Sequence, residues 1–228
     1  MKNLINKVFI VMMFYSAFSC SHDDLPNAHP SDYLNYETQT NLELPFDDEW
    51  WIFWGGRNVS DNYHAAHREQ RFALDIVQKI NGSTHSGNGS QNEDYYCFGK
   101  RLNAPGNGVV IEVINNIQDN VPGQFNNDVP TGNLVVIDHQ NGEFSLLAHF
   151  KEGSIVVSEG DIVVKGQVLG KAGNSGNSSE PHLHYHLQNT ADPFNGDGLP
   201  AQFQNYYANN ILKERGEPIQ NEYVINAN

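Results

Sequence analysis

The composition of this chain excludes several classes of protein before any motif is considered. Its 228 residues suffice for one domain with a core, and 39% hydrophobic residues are typical of a globular rather than a disordered chain. The net charge of −14, from 13 Lys+Arg against 27 Asp+Glu, argues against nucleic acid as a partner, because phosphate binding needs clustered basic side chains.

The first 20 residues have the pattern of a targeting segment. Lys2 and Lys7 precede an apolar run over residues 8–15, and small residues follow, so residues 1–19 are predicted to be a secretory signal peptide. Cys20 then resembles the attachment site of bacterial lipoproteins; the alternative is secretion with Cys20 left as a thiol. The predicted location is extracytoplasmic, with the chain attached to a bacterial membrane, the outer membrane or cell surface, through a lipid anchor.

The segment after the signal peptide is polar and lacks a helix or strand period. Residues 20–43, with Pro26 and Pro30, are therefore predicted to be a flexible tether. Cys97 is the only other cysteine, so a Cys20–Cys97 disulfide is an alternative state of both thiols. The folded domain is predicted to occupy residues 44–228, including a C-terminal extension that carries no chemical motif.

The rest of the chain predicts many short strands and almost no helix. The aromatic residues 49–54 suit a buried strand, although their three tryptophans could instead bind sugar rings. Loops rich in Gly, Ser and Asn separate the strands, and the loop over residues 81–96 could cover a groove. The expected fold class is all-β, an antiparallel sheet with a loop-walled groove. Further strands are expected at residues 70–77, 109–113, 132–139, 143–150, 180–186 and 217–225, and a turn and strand at residues 160–170.

Three histidines occupy alternate positions in one predicted strand. His182, His184 and His186 would share one face, with the intervening apolar residues on the other. Neutral imidazole is a common zinc ligand, so this run indicates a metal site; the alternative is a polar strand face exposed to water. Upstream, two histidines and Asp75 lie within a dozen residues, a spacing that is not specific alone.

Several segments, taken in order, resemble the lysostaphin/LytM-type zinc endopeptidases of bacterial cell walls. They are Asp75, residues 132–139, Ala148-His149, residues 160–167 and Pro181-His182-Leu183-His184, and the resemblance covers roughly residues 50–190. Where the family has its first histidine, this chain has Arg71. It matches instead a subgroup with Asn-x-His, a longer insert and Gln-Arg-Phe-Ala-x-Asp. On this basis His64 is carried over as the first ligand, with His67 as the competitor.

The resemblance implies a LytM-type peptidase fold that binds Zn²⁺ and hydrolyses peptide bonds in peptidoglycan by a metal-activated water. The site residues it implies are His64, Asp75 and His184 as zinc ligands, and His149 and His182 as catalytic residues.

The division of labour between the two catalytic histidines is a hypothesis at this point. His182 is expected to be the general base and His149 to stabilise the developing oxyanion, or these roles are exchanged. His186 is assigned no catalytic role. Its side chain is expected either to be exposed to solvent or to contact a metal ligand without binding the metal itself. The alternative function is a catalytically inactive domain that binds the wall or activates an amidase.

Overall fold

The computed structural model describes residues 27–227, which form a nearly all-β molecule built on antiparallel pairs. Within this range, helical structure is limited to the 3₁₀ turns Tyr63–Ala66 and Asn92–Asp94. The expected all-β antiparallel class is confirmed. The strands are β1 (Trp50–Trp54), β2 (Leu74–Val77), β3 (Arg101–Asn103), β4 (Gly108–Ile114), β5 (Asn133–Asp138), β6 (Phe144–Phe150), β7 (Ile162–Val163), β8 (Val168–Lys171), β9 (Leu183–Gln188), β10 (Gly198–Leu199), β11 (Phe203–Ala208), β12 (Ile211–Gly216) and β13 (Tyr223–Asn226).

One 11-stranded sheet carries Asp75, His149 and His184. Its order is β12-β11-β13-β1-β2-β9-β6-β5-β4-β7, and the short strand β10 also pairs with β9. Strands β3 and β8 form a separate two-stranded sheet. The C-terminal strands extend this same sheet, because β13 pairs with β1. Strand β2 begins at Leu74, later than the predicted residue 70, since the amide of Ala73 turns back to the carbonyl of Gln70.

The alternation in β9 separates the core from the site. Leu183, Tyr185 and Leu187 are fully buried on the core face, and the histidines between them point the other way. Trp50 is buried and stacks on Phe46 with ring centroids 5.0 Å apart. Core packing is therefore confirmed as the use of Trp50.

The prediction of a flexible tether is wrong for the described part of residues 20–43. Leu42 is fully buried and forms a bridge with Phe203. The carboxylate of Glu143, itself fully buried, accepts hydrogen bonds from the amides of Gln39 and Thr40 at 2.6 and 2.8 Å. These partners lie about a hundred residues away, so local polarity and periodicity could not indicate that the segment docks.

Some sequence predictions fall outside the described residues. The signal peptide over residues 1–19, the lipidation site Cys20 and residues 20–26 of the tether are among them. No helix within residues 27–227 is long and apolar enough to cross a membrane. Cys97 is buried, its Sγ lies 3.0 Å from the carbonyl oxygen of Pro181, and burial raises the pKa of its thiol to about 12.

Candidate metal centre

His64 is held in place by two polar residues of its own motif. Asn62 caps the first 3₁₀ turn by accepting a hydrogen bond from the amide of His64, and its amide group donates to the carbonyls of Gly56 and Ala73. Gln70 Oε1 lies 2.8 Å from His64 Nδ1 and places the ring proton on that nitrogen. The lone pair of Nε2 is thereby directed at Asp75.

Strand pairing brings Asp75 and His184 together, and the first 3₁₀ turn adds His64. Asp75 of β2 lies directly opposite His184 of β9, and neighbours on one face of an antiparallel pair are close enough for side chains to meet. Asp75 Oδ2 is 3.0 Å from His64 Nε2, and Asp75 Oδ1 is 2.8 Å from His184 Nδ1. His64, Asp75 and His184 are all buried, with donor atoms within 4.8 Å of one another. His67, the competitor for the first position, is exposed.

A buried chain of hydrogen bonds fixes which nitrogen of His184 faces Asp75. Gln188 Nε2 donates to the carbonyls of Thr190 and Asp192, so its Oε1 is left to accept from His186 Nε2 at 3.1 Å. His186 Nδ1 must then accept, and it lies 3.0 Å from His184 Nε2. The proton of His184 is therefore on Nε2, and Nδ1 carries the lone pair. His186 is buried behind the ligand rather than solvated.

His149 lies at a bulge in β6. Asn133 pairs with Phe150 and Leu134 with Ala148, which leaves His149 as the extra residue, and its φ is 63°. A bulge of this kind turns a side chain out of the regular pleat, and left-handed backbone at a non-glycine residue costs on the order of 1–3 kcal/mol. The bulge directs His149 towards the candidate metal ligands, and its ring centroid lies 5.8 Å from that of His184.

The loop opposite the bulge supplies the hydrogen-bond acceptor for His149. His149 Nδ1 donates to the carbonyl of Ser175 at 2.7 Å. Gly132 has a φ of 59°, and a Cβ there would lie 2.4 Å from that carbonyl group, so only glycine lets the two segments approach this closely. The close approach positions Ser175 and leaves His149 Nε2 as an acceptor in the neutral ring.

His182 approaches the cluster from the start of β9. Its Nδ1 lies 2.8 Å from the carbonyl oxygen of Glu180, which places the proton on Nδ1 and leaves Nε2 as an acceptor. Nε2 is 3.7 Å from Asp75 Oδ1, and the ring centroid is 4.7 Å from that of His149. His149 and His182 thus face each other beside the three candidate ligands.

Burial and mutual contact set the charge of the cluster. Burial raises the pKa of Asp75, but His64, His182 and His184 lower it, and the net pKa lies well below the usual value. Burial lowers the pKa of His149 well below the usual value, and His182 and His184 act in the same direction. Burial also lowers the pKa of His184, against the opposing effect of Asp75. The cluster therefore contains one ionised carboxylate, that of Asp75, and two neutral imidazoles, those of His149 and His184.

This donor set fits Zn²⁺. Catalytic zinc sites commonly use three protein ligands drawn from imidazole and carboxylate, and the imidazoles must be neutral. The second nitrogen of each candidate imidazole is also engaged, by Gln70 for His64 and by His186 for His184. Such partners fix the ring orientation of metal-binding histidines in proteins.

A groove crosses the cluster. A larger cavity of ≈ 550 Å³ lies on the His182 side, and a smaller one of ≈ 80 Å³ lies towards Phe194. Loops wall the larger cavity through Thr84 and Phe125. The two cavities together give room for an extended chain on both sides of the cluster. Their shared wall consists of Tyr63, His149, Asn177 and His184.

The bulge at His149 gives a prediction about stability. His149→Gly is expected to be more stable than His149→Ala by about 1 kcal/mol, because both lose the imidazole but only glycine adopts a φ of 63° without strain. Urea unfolding of the metal-free variants measures the difference. The same pair of changes at Ser145, a buried residue of β6, should give the ordinary order with alanine more stable. An alanine advantage at both positions would contradict the prediction.

The chain behind His184 gives a prediction about metal affinity. His186→Leu is expected to weaken zinc binding about 10–100-fold, because His184 Nε2 loses the acceptor that orients its ring. Competition with a chromophoric chelator measures the dissociation constant. His186→Gln supplies an amide oxygen at the same place and should recover most of the affinity. Equal affinity in the leucine variant and the wild type would assign His186 to packing alone.

The comparison with known families decides what kind of domain this is. Residues 93–196 match the profile of peptidase family M23. The chain carries a peptidase family M23 domain. The resemblance to lysostaphin/LytM-type peptidases is thereby confirmed. The matched residues include His149, His182 and His184, whereas His64 and Asp75 precede them and are brought to the M23 site by the fold.

Curated relatives match part of the chain. Peptidoglycan DD-endopeptidase ShyA of Vibrio cholerae is 38% identical over 77 residues, which cover 34% of this chain and 17% of that protein. DD-carboxypeptidase/endopeptidase Mpg of Neisseria meningitidis is 42% identical over 64 residues, which cover 28% of this chain and 14% of that protein. The chain thus spans about a sixth of the length of the curated relatives it matches.

Solved structures also resemble the chain. A zinc-containing peptidase from Vibrio cholerae is 21% identical, with a TM-score of 0.44 over 71% of this chain and 41% of that chain. The catalytic domain of lysostaphin from Staphylococcus simulans is 18% identical, with a TM-score of 0.39 over 65% of this chain and 86% of that chain.

The sequence did not predict the roles of the residues that hold the metal ligands in place. Asn62 and Gln70 belong to the quoted motif, and the structure gives each a physical task beside His64. His186 and Gln188 were signalled only by the alternation of β9, which continues beyond His184. Arg71, which stands where the family has histidine, is buried and donates to the carbonyl of His29.

Proposed function

We propose that this domain is a zinc-dependent endopeptidase that hydrolyses peptide bonds in peptidoglycan. The observation that supports it most is the convergence of His64 Nε2, the Asp75 carboxylate and His184 Nδ1, all within 4.8 Å. The wall substrate is suggested by the relative ShyA, which is named a peptidoglycan DD-endopeptidase, and the relative Mpg is named a DD-carboxypeptidase/endopeptidase. An inactive wall-binding or amidase-activating domain is not favoured, because the five site residues are all present and adjacent.

The proposed roles follow from the protonation state of each ring. His64, Asp75 and His184 would hold the metal, since their lone pairs face one another. When bound, zinc would supply Lewis acidity that polarises the scissile carbonyl and makes a water molecule acidic enough to attack near neutral pH.

His149 and His182 would handle the protons of the reaction. Each ring donates through Nδ1 to a backbone carbonyl, so in the neutral state each presents Nε2 as a proton acceptor. His182 is proposed to take the proton of the attacking water, and His149 to position the water and the developing oxyanion. The ring that has taken a proton becomes a donor, which is what a leaving amine needs.

Digestion of purified peptidoglycan tests the function. The purified protein is expected to release new peptide termini, detected by mass spectrometry. A chelator should stop the release and added Zn²⁺ should restore it. Asp75→Asn serves as the control protein. Release that is equally fast with Asp75→Asn, or unchanged by the chelator, would refute a zinc mechanism at this site.

The location of the protein is a separate proposal. We infer an extracytoplasmic lipoprotein anchored to a bacterial membrane through Cys20, which would place the domain near wall material. The support is the order of Lys2, Lys7, the apolar run and Cys20. Metabolic labelling with a fatty-acid analogue should mark the wild type and not Cys20→Ser; persistent labelling of the variant would contradict the anchor.

A further inference from the structure

The larger cavity, beside the candidate metal ligands, is lined by acidic side chains. Its walls contain two carboxylates, Asp75 and Glu180, and no lysine or arginine. Asp75 is engaged by His64 and His184. Glu180 is half-buried, and within residues 27–227 it makes no ion pair with Lys or Arg. Its carboxylate has one hydrogen bond, a long one of 3.5 Å from Thr84 Oγ1.

The side chain of Glu180 has no evident task in the fold. The backbone carbonyl of this residue already does the local structural work, since it accepts from Ser178 Oγ at 2.9 Å and from His182 Nδ1 at 2.8 Å. Any residue could supply that carbonyl. Glu180 is half-buried and so loses part of its hydration; burial raises the pKa of its carboxyl, although His182 and His85 act in the opposite direction. The carboxylate therefore loses water without gaining an ion pair with a lysine or arginine of the described residues.

We propose that Glu180 forms a subsite for a primary ammonium group on the peptide that occupies the groove. This inference rests on the proposed function and names a recognition element of the same substrate. An ammonium group offers three donors and a full positive charge, which match a carboxylate that has one weak hydrogen bond. Glu180 lies two residues before His182, so the ammonium group binds on the His182 side of the cluster. The smaller cavity, with Pro193 and Phe194, takes the other side of the peptide.

The charge of the groove also selects against other ligands. Glu180 would repel a peptide carboxylate placed at the same point, and no lysine or arginine lines the cavity to compensate. Acetylation of the amine removes its charge and two of its donors. The subsite therefore distinguishes a free amine from its acetylated form, which is a chemical change that leaves the rest of the peptide intact.

Binding in a non-cleaving variant tests the subsite. Soluble cross-linked peptide fragments are prepared from purified peptidoglycan, and half is N-acetylated with acetic anhydride. Titration calorimetry with His149→Ala is expected to show about tenfold tighter binding of the free-amine fragments, the size of one charge-assisted hydrogen bond. The preference should vanish in His149→Ala/Glu180→Gln. It should persist in His149→Ala/Glu93→Gln, which removes an exposed carboxylate of the second 3₁₀ turn, outside the groove.

The outcomes separate this inference from the proposed function. Equal binding of both fragment types by His149→Ala, or a preference that survives Glu180→Gln, refutes the subsite even where the wild type cleaves wall material. Conversely, an amine preference that depends on Glu180 supports the subsite even where the wild type cleaves nothing, and in that case the peptidase proposal fails. The glutamine variant is nearly isosteric, so a folding defect is not expected to blur these results.

Discussion

Replacing Asp75 by asparagine is expected to abolish both zinc binding and cleavage of wall peptides. The change removes the charge between His64 and His184 while keeping the shape of the side chain. A zinc site of four ligands is worth ~10–16 kcal/mol, so one ligand accounts for about 3 kcal/mol and its loss weakens binding at least roughly 100-fold. Metal analysis of the purified protein and a digestion assay measure the two effects.

Thermal unfolding gives this prediction an independent readout. Zinc bound only to the folded state stabilises the wild type by about 4 kcal/mol at a thousand times its dissociation constant, so added zinc should raise Tm. At the same zinc concentration a site weakened 100-fold keeps only about 1.4 kcal/mol of this stabilisation, so Asp75→Asn should show at most about a third of the rise. Asp138→Asn, at the end of β5 in the same sheet but outside the cluster, should behave as the wild type. A zinc-dependent rise in Asp75→Asn equal to that of the wild type would remove Asp75 from the ligand set.

Local patterns were sufficient for most of the fold. Strand composition and turn signals are set within a few positions, and β5 and β6 lie within one residue of their predicted ends. Strand β9 begins three residues later and ends two residues later than the predicted run over residues 180–186. The docked N-terminal segment could not be found in this way. Its attachment depends on Glu143 and Phe203, which are far away in sequence. Neither partner leaves a mark on the local composition of residues 27–43.

The candidate site likewise combines features that local sequence predicts with features that depend on distant residues. The common face of His184 and His186 follows from their spacing alone. Their meeting with Asp75 depends on β2 and β9 being neighbours in the sheet, which periodicity does not specify. The family resemblance supplied the set of ligands, but not the strand pairing. The left-handed backbone of His149 had no signal at all, because glycine or asparagine is the usual residue at such a position.

Replacing His149 or His182 by alanine is expected to remove cleavage while leaving zinc in place. Neither imidazole belongs to the set of converging lone pairs, and each holds its Nδ1 proton on a backbone carbonyl. General acid–base catalysis contributes typically about 10²–10⁴-fold, so the rate of cleavage should fall by that factor. The rate is measured with saturating zinc, so that a modest change in metal affinity does not alter the measured rate of cleavage.

His182 is the stricter test of this division, because its Nε2 lies 3.7 Å from Asp75 Oδ1 and a small movement would make it a ligand. Zinc content of His182→Ala equal to that of the wild type would establish it as a group that acts on substrate or water. Loss of zinc would instead make it the ligand and release another histidine for catalysis. His67→Ala, which changes an exposed histidine next to the first 3₁₀ turn, should alter neither zinc content nor rate, whereas His64→Ala should lose both. The pair therefore shows whether position in the cluster, rather than the mere number of histidines, determines metal binding.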